Sequence, residues 1–203
     1  MASYVFTDVN LREAQLYADY VSIEHDLSRT RDFVAMVLQE QRNAQPNWSL
    51  LGALMVAVIV QYARPFSGDQ RARTGEKREL ILSPEQLEAH QYYLAIRSKF
   101  IAHSVNAFED NQPVAYYVAE EPEQGVTSIS CQHRRVAALA EADLETIDEL
   151  AGAWLTYVRQ RRETEQAALL EIVQQIPLED LLKEPQSDGR LDLSRPMASR
   201  RRF

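Results

Sequence analysis

The sequence predicts an all-α protein: an antiparallel four-helix bundle with a β-hairpin inserted between its third and fourth helices. Three observations predict it. Apolar residues recur at spacings of three, four and seven over long stretches, the period of a helix face. Glycine (6) and proline (8) are sparse in 203 residues, which disfavours a turn-rich β protein. The segments between the periodic stretches are short enough to set neighbouring helices antiparallel.

The first helix is expected to start near Thr7 or Asp8, side chains that can cap free N–H groups. Leu16, Tyr20, Ile23, Leu27, Val34 and Leu38 form its stripe, and Asn43–Pro46 ends it near Arg42. The second helix runs from about Asn47 to Ala63 and stops at Pro65. Its Leu50–Val60 section is apolar on every side, which predicts a central, surrounded position. Residues 65–79 form a polar loop made basic by Arg71, Arg73, Lys77 and Arg78. Ser83-Pro84-Glu85-Gln86 reads as a helix start, with a capping serine, proline at the first helical position and Gln86 at the capping-box position. The third helix then extends to about Ser104.

Residues 114–120 and 126–133 read as two strands joined by the turn Glu121–Gly125, the insertion spanning about 113–134. A lone hairpin is marginal in water, so it must pack on the helices or on a partner. The fourth helix starts near Glu141–Asp143, with Leu144, Ile147, Ala151, Trp154, Leu155 and Val158 as its stripe. At about 35 residues it is long for the domain, so its second half is expected to extend past the bundle. Residues 1–182 make one helical domain, and 183–203 form a polar tail ending Arg200-Arg201-Arg202-Phe203.

The net charge is −8, so bulk electrostatics do not mark a nucleic-acid binder. The cations are uneven: of 22, only Lys77, Lys99 and Lys183 are lysine. Cys131 stands alone, which excludes an internal disulfide and a paired-cysteine metal site. The four histidines show no metal-ligand spacing, so neither a metal nor any other cofactor is expected. His25 and Asp26 read as surface positions. No Gly-rich phosphate loop or nucleophile elbow is present. The first residues lack the charged and apolar regions of a secretory leader. The Leu50–Val60 run, about 17 Å of helix, is too short for a bilayer. A cytoplasmic protein with no membrane partner is the expectation.

The chemistry concentrates in Arg97-Ser98-Lys99-Phe100-Ile101-Ala102-His103-Ser104, at the end of the third helix. An imidazole and a guanidinium held together are the minimum equipment for metal-free RNA cleavage. On an ideal helix Arg97 and His103 point about 120° apart, about 9 Å apart along the axis. Two such helices meeting across a two-fold axis would let each chain place groups opposite the other's histidine. Ser98, Lys99 and Ser104 keep the neighbourhood polar. The bland alternative is that His103 caps helix carbonyls and Arg97 pairs with Glu109 or Asp110.

This stretch resembles the HEPN superfamily, small helical-bundle proteins of toxin–antitoxin, abortive-infection and RNA-processing systems. Their signature is an arginine, four to six residues, then a histidine at the end of the third main helix; here these are Arg97 and His103. The Arg-x-Lys-x-x-Ala-His-Ser form is similar to the abortive-infection branch. Ser98 stands where the family often has Asn, Asp or His, and Val105 where some toxin branches carry tyrosine.

The resemblance implies a metal-independent endoribonuclease acting as a homodimer with its site at or near the interface. Its substrate would be single-stranded RNA, and an antitoxin or defence-system protein its partner. His103 would act as general base on the ribose 2′-OH and Arg97 would stabilise the phosphorane-like transition state. Ser98, Lys99 and Ser104 would support them, and Arg71, Arg73, Lys77 and Arg78 would hold RNA phosphates. Products would carry a 2′,3′-cyclic phosphate. The alternative is a non-catalytic HEPN-like scaffold that binds a protein or nucleotide partner.

Overall fold

The computed structural model describes residues 7–67, 77–101, 109–135 and 139–183. They form a mainly α-helical protein with one small antiparallel sheet. The helices are α1 (Arg12–Gln41), α2 (Trp48–Ala63), the short α3 (Arg78–Ile81), α4 (Pro84–Ile96), α5 (Glu141–Gln174) and the short α6 (Leu178–Leu181). Strands β1 (Glu109–Tyr117) and β2 (Val126–Arg135) lie between α4 and α5.

The spine is α1 against α5. Arg31 grips Asp148 with two bonds of 2.7 and 2.8 Å. Nearer the start of α1, Glu24 takes Arg159 at 2.9 Å and Arg162 at 2.7 Å. Descending numbers on one helix meet ascending numbers on the other, so the pair is antiparallel. Ile23, Leu27 and Val37 of α1 meet Leu144, Ile147, Trp154 and Val158 of α5, all fully buried. Burying each such side chain contributes about 1.5–3 kcal/mol before chain entropy is counted.

The six residues of the expected α5 stripe are all buried, and Leu150, not expected there, joins them. The partners of its charged segment differ from the simplest reading: Arg161 pairs with Glu165 at 2.7 Å, but Arg159 reaches across to Glu24. Arg162 likewise favours Glu24 over its neighbour Glu163, which lies 3.6 Å away. Leu170 and Ile172 are exposed near the end of α5, which extends past the core as expected.

α1 starts at Arg12, later than Thr7 or Asp8, after an extended Leu11 whose side chain makes no capping bond. Asp26 is a clearer correction. It is buried, not a surface residue, because it falls three positions after Ile23 on the inward stripe. Gln61 donates to its carboxylate at 2.7 Å, and Arg64 lies 3.5 Å from it. His25, one step round the helix, is exposed as expected.

The sequence reading misplaces α2. It packs on α1 and α4 and is open on its remaining side: Leu51, Val58, Ile59 and Tyr62 are buried, while Trp48 is 62% and Leu50 44% exposed. α1 holds the central position instead, between α2 and α5. The apolar helix also runs longer than the 50–60 run suggests. With the 3₁₀ turn Arg64–Phe66 it makes 19 residues, Trp48–Phe66, long and apolar enough by length and composition to cross a membrane. Only a third of it is buried within the chain.

α4 begins as the sequence predicts. Ser83 accepts from the Gln86 N–H at 3.2 Å, and the Gln86 side chain accepts from the Ser83 N–H at 3.1 Å. The helix does not continue in the α form to Ser104: after Ile96 the chain widens into a π turn, Arg97–Ile101.

The hairpin is longer at its root than expected, because pairing extends into the polar segment Glu109–Pro113, opposite Cys131–Arg135. At its tip a 3₁₀ turn, Pro122–Gln124, is closed by Gly125 at φ +72°, a conformation glycine adopts without strain. From 111 to 133 every residue is exposed except the half-buried Val114. Over residues 111–133 the hairpin therefore does not pack on the described helices.

Candidate functional site

Arg97 caps the C-terminus of α4 and opens the π turn. Its backbone N–H bonds to the carbonyls of Tyr93 and Leu94. Two buried residues fix this end of the helix. Ile96 enters the core, and the Tyr93 hydroxyl donates to Asp143 at the start of α5, 3.3 Å from its carbonyl and 3.2 Å from its carboxylate. Burial first, then the adjacent Asp143 charge, pushes the Tyr93 phenol well above its ordinary pKa, so it stays a donor.

Arg97 is half-buried. Among the described residues, Arg31, Arg42, Arg64, Arg159, Arg161 and Arg162 each hold a carboxylate. Among the residues whose side chains are described, Arg97 pairs with no acid, and the same holds for Arg12, Arg29 and the half-buried Arg78. A partly desolvated guanidinium can bind a phosphate through two parallel bonds of its planar fork. Ser98 turns its hydroxyl back to the Ala95 carbonyl at 3.1 Å, and Lys99 is exposed beside it. His103 and Ser104 lie outside the described residues. So do Arg71 and Arg73.

The described part of the basic segment sits elsewhere. Lys77 is exposed at the N-cap of α3, and Arg78 is half-buried in its first position. Both precede α4, whereas Arg97 follows its 13 residues, about 20 Å along the axis. An RNA strand touching both ends would have to track the length of α4.

The inner polar sites carry a weaker sequence signal. His90 falls on the inward face, three residues after Leu87 and three before Tyr93, a position the apolar period marks as core. It is 1% exposed and its Nδ1 lies 2.7 Å from the Tyr62 hydroxyl. Phe66 and Trp154 complete the surround, with ring centroids 4.6 and 5.9 Å from the imidazole. Burial, helped by the positive charge of Arg78, pushes the His90 pKa down to about 4. The ring is therefore neutral at pH 7 and serves packing. The phenol of Tyr62 is pushed up by the same burial.

Two open grooves of about 830 Å³ flank α1. One, toward α2, includes His25, Asp26, Arg29 and Arg64; the other, toward α5, includes Asp32, Glu145 and Glu149. Arg97 lines neither. Among the described residues no group of three or more His, Cys, Asp or Glu side chains is placed to hold a metal ion.

No protein-family model, curated protein or solved structure matches this chain.

Proposed function

We propose that this protein is a metal-independent endoribonuclease of HEPN type, built as an antiparallel four-helix bundle and acting in the cytoplasm in phage defence, toxin–antitoxin or stress response. The observation that carries the reading is Arg97, half-buried at the end of α4 where the π turn begins, with no acid paired to it among the residues whose side chains are described. The π turn that begins there adds support, since such turns occur often at functional sites.

In the proposed reaction His103 removes the proton from a ribose 2′-OH. The alkoxide attacks the adjacent phosphorus, the bond from phosphorus to the 5′-oxygen breaks, that oxygen takes a proton from water, and the imidazolium of His103 returns its proton to solvent. Arg97 binds the non-bridging oxygens as charge grows on them. General-base help is typically worth about 10²–10⁴-fold, and a preorganised charge-stabilising donor about 10²–10³-fold. DNA lacks the attacking hydroxyl and is not cut. Ser98, Lys99 and Ser104 keep the site polar, and Lys77 and Arg78, near the other end of α4, hold phosphates further along the strand. The active unit is a homodimer, with an antitoxin or other defence-system protein as its regulator.

The test is cleavage of a labelled single-stranded RNA by the purified protein in EDTA. Expected are products ending in 2′,3′-cyclic phosphate, and a loss of at least about 100-fold in rate for Arg97→Ala and for His103→Ala. Far-UV circular dichroism of both variants should be unchanged. Full cleavage by either variant overturns the assignment of roles, and no cleavage by the wild-type protein between pH 5 and 9 overturns the activity. The uncovered hairpin favours one second reading, a non-catalytic scaffold that engages a protein; in that case no RNA is cut.

A further inference from the structure

The groove between α1 and α2 is cationic in its middle and apolar at its ends. Tyr17, Val21, His25, Arg29 and Phe33 line it at steps of four along α1, one ridge of that helix. Gln61 and Arg64 line it from the end of α2. Its volume of about 830 Å³ falls in the range of about 300–1,000 Å³ usual for small-molecule sites.

The positive charge there is not spent within the described chain. Arg29 pairs with no described acid, and its guanidinium lies over the Phe33 ring, 5.1 Å from the centroid. An aromatic ring holds a cation in place without neutralising it. Arg64 lies 3.5 Å from Asp26, beyond ordinary hydrogen-bond length, while Gln61 donates to that same carboxylate oxygen at 2.7 Å. Half of the Arg64 side chain stays exposed. His25, also exposed, stands four residues before Arg29 on the same face of the helix. The groove on the other side of α1 has the opposite character, with Asp32, Glu145 and Glu149, as suits a chain of net charge −8.

We infer that the α1–α2 groove binds a small organic phosphate, its phosphate among His25, Arg29 and Arg64 and its apolar or aromatic end along Val21 and Tyr17. A phosphate monoester carries nearly two charges and three terminal oxygens. That matches two guanidiniums and an imidazole N–H better than a carboxylate, with one charge and two oxygens. Arginine forks bind phosphate through paired bonds. Asp26, buried at the groove floor, opposes an anion there and keeps the phosphate at the rim, where Arg29 and Arg64 are exposed. From His25 back to Tyr17 the groove follows eight residues of α1, about 12 Å, which leaves room for the organic group.

Phenyl phosphate is the minimal probe. Titrated into the full chain and followed by calorimetry, it should bind saturably with a dissociation constant below about 1 mM. Inorganic phosphate, phenol and benzoate should each bind at least about tenfold more weakly. Arg29→Ala and Arg64→Ala should each weaken phenyl phosphate binding by at least about tenfold, the worth of one charge-assisted bond. Arg29 is exposed, so Arg29→Ala should keep the wild-type thermal midpoint. The inference is overturned by the lack of saturable binding up to about 5 mM, by binding indifferent to Arg29→Ala, or by equal affinity for inorganic phosphate or benzoate. Loss of binding in Arg97→Ala but not in Arg29→Ala would assign the ligand to another site and overturn it too. Once binding is established, adenosine monophosphate and O-phosphotyrosine separate two sources of the same chemistry, and the tighter of them names the organic part. None of these readouts uses RNA cleavage, so the groove and the nuclease reading fail separately.

Discussion

Acid should unfold this protein partly through one imidazole. His90 ordinarily titrates at 6.5, and inside the Tyr62–Phe66–Trp154 surround its pKa falls to about 4. The sign follows from linkage: a group that binds its proton more weakly when folded favours the unfolded chain once protons are abundant. Above about pH 6.5 the ring is neutral in both states and contributes nothing to the pH dependence. Between 6.5 and 4 only the unfolded chain is protonated, and stability falls by up to about 1.4 kcal/mol per pH unit, or about 3 kcal/mol in all.

Carboxylates protonate over the lower part of that range, so the wild-type curve alone does not isolate the effect. The measurement is urea unfolding at half-unit steps from pH 7.5 to 4, on wild type and His90→Gln. The loss between pH 7 and 4 should be about 3 kcal/mol larger in wild type than in the variant. Equal slopes would refute the reasoning, because they would mean that the buried ring is protonated in the folded state at no cost.

Two further outcomes are expected. Trp154→Ala empties the centre of the aromatic cluster, where the indole is fully buried, and should cost about 3–5 kcal/mol, read as a fall of roughly 10 °C in the thermal midpoint. Ser83→Ala removes one arm of the observed capping box and should cost about 1 kcal/mol in urea unfolding, whereas Ser83→Asp should keep most of it.

The helical period made much of the fold legible. The α5 stripe reads off the sequence because all seven of its buried positions are apolar while most of its exposed positions are polar or charged. The start of α4 reads off because a serine, a proline and a glutamine in that order satisfy the same free N–H groups in any context. α2 resisted for the opposite reason. When every face is apolar, periodicity carries no direction, and Leu51 cannot be told from Leu50 until a neighbour chooses one.

Asp26 and His90 were missed as core positions because residue type argued against their phase, and phase prevailed once Gln61 and Tyr62 supplied partners. The root of the hairpin was missed because Glu-Asp-Asn-Gln-Pro has little strand propensity; pairing to β2 decides it. For the site, sequence located Arg97 at the end of a helix, and the structure puts it there. Propensity gives no warning of the π turn, whose segment lies against α2.

That widened turn has a consequence for anyone altering the chain. A π segment is an α-helix with one residue too many, accommodated as a local swelling. Excising a single residue between Ser98 and Ile101 would let the ladder close up again, and a shorter, more regular rod would be the thermodynamically easier object. The same excision would turn the direction in which the chain leaves Ile101 by about 100° relative to Arg97. A deletion that strengthens the helix is thus the change best suited to scrambling what its end presents.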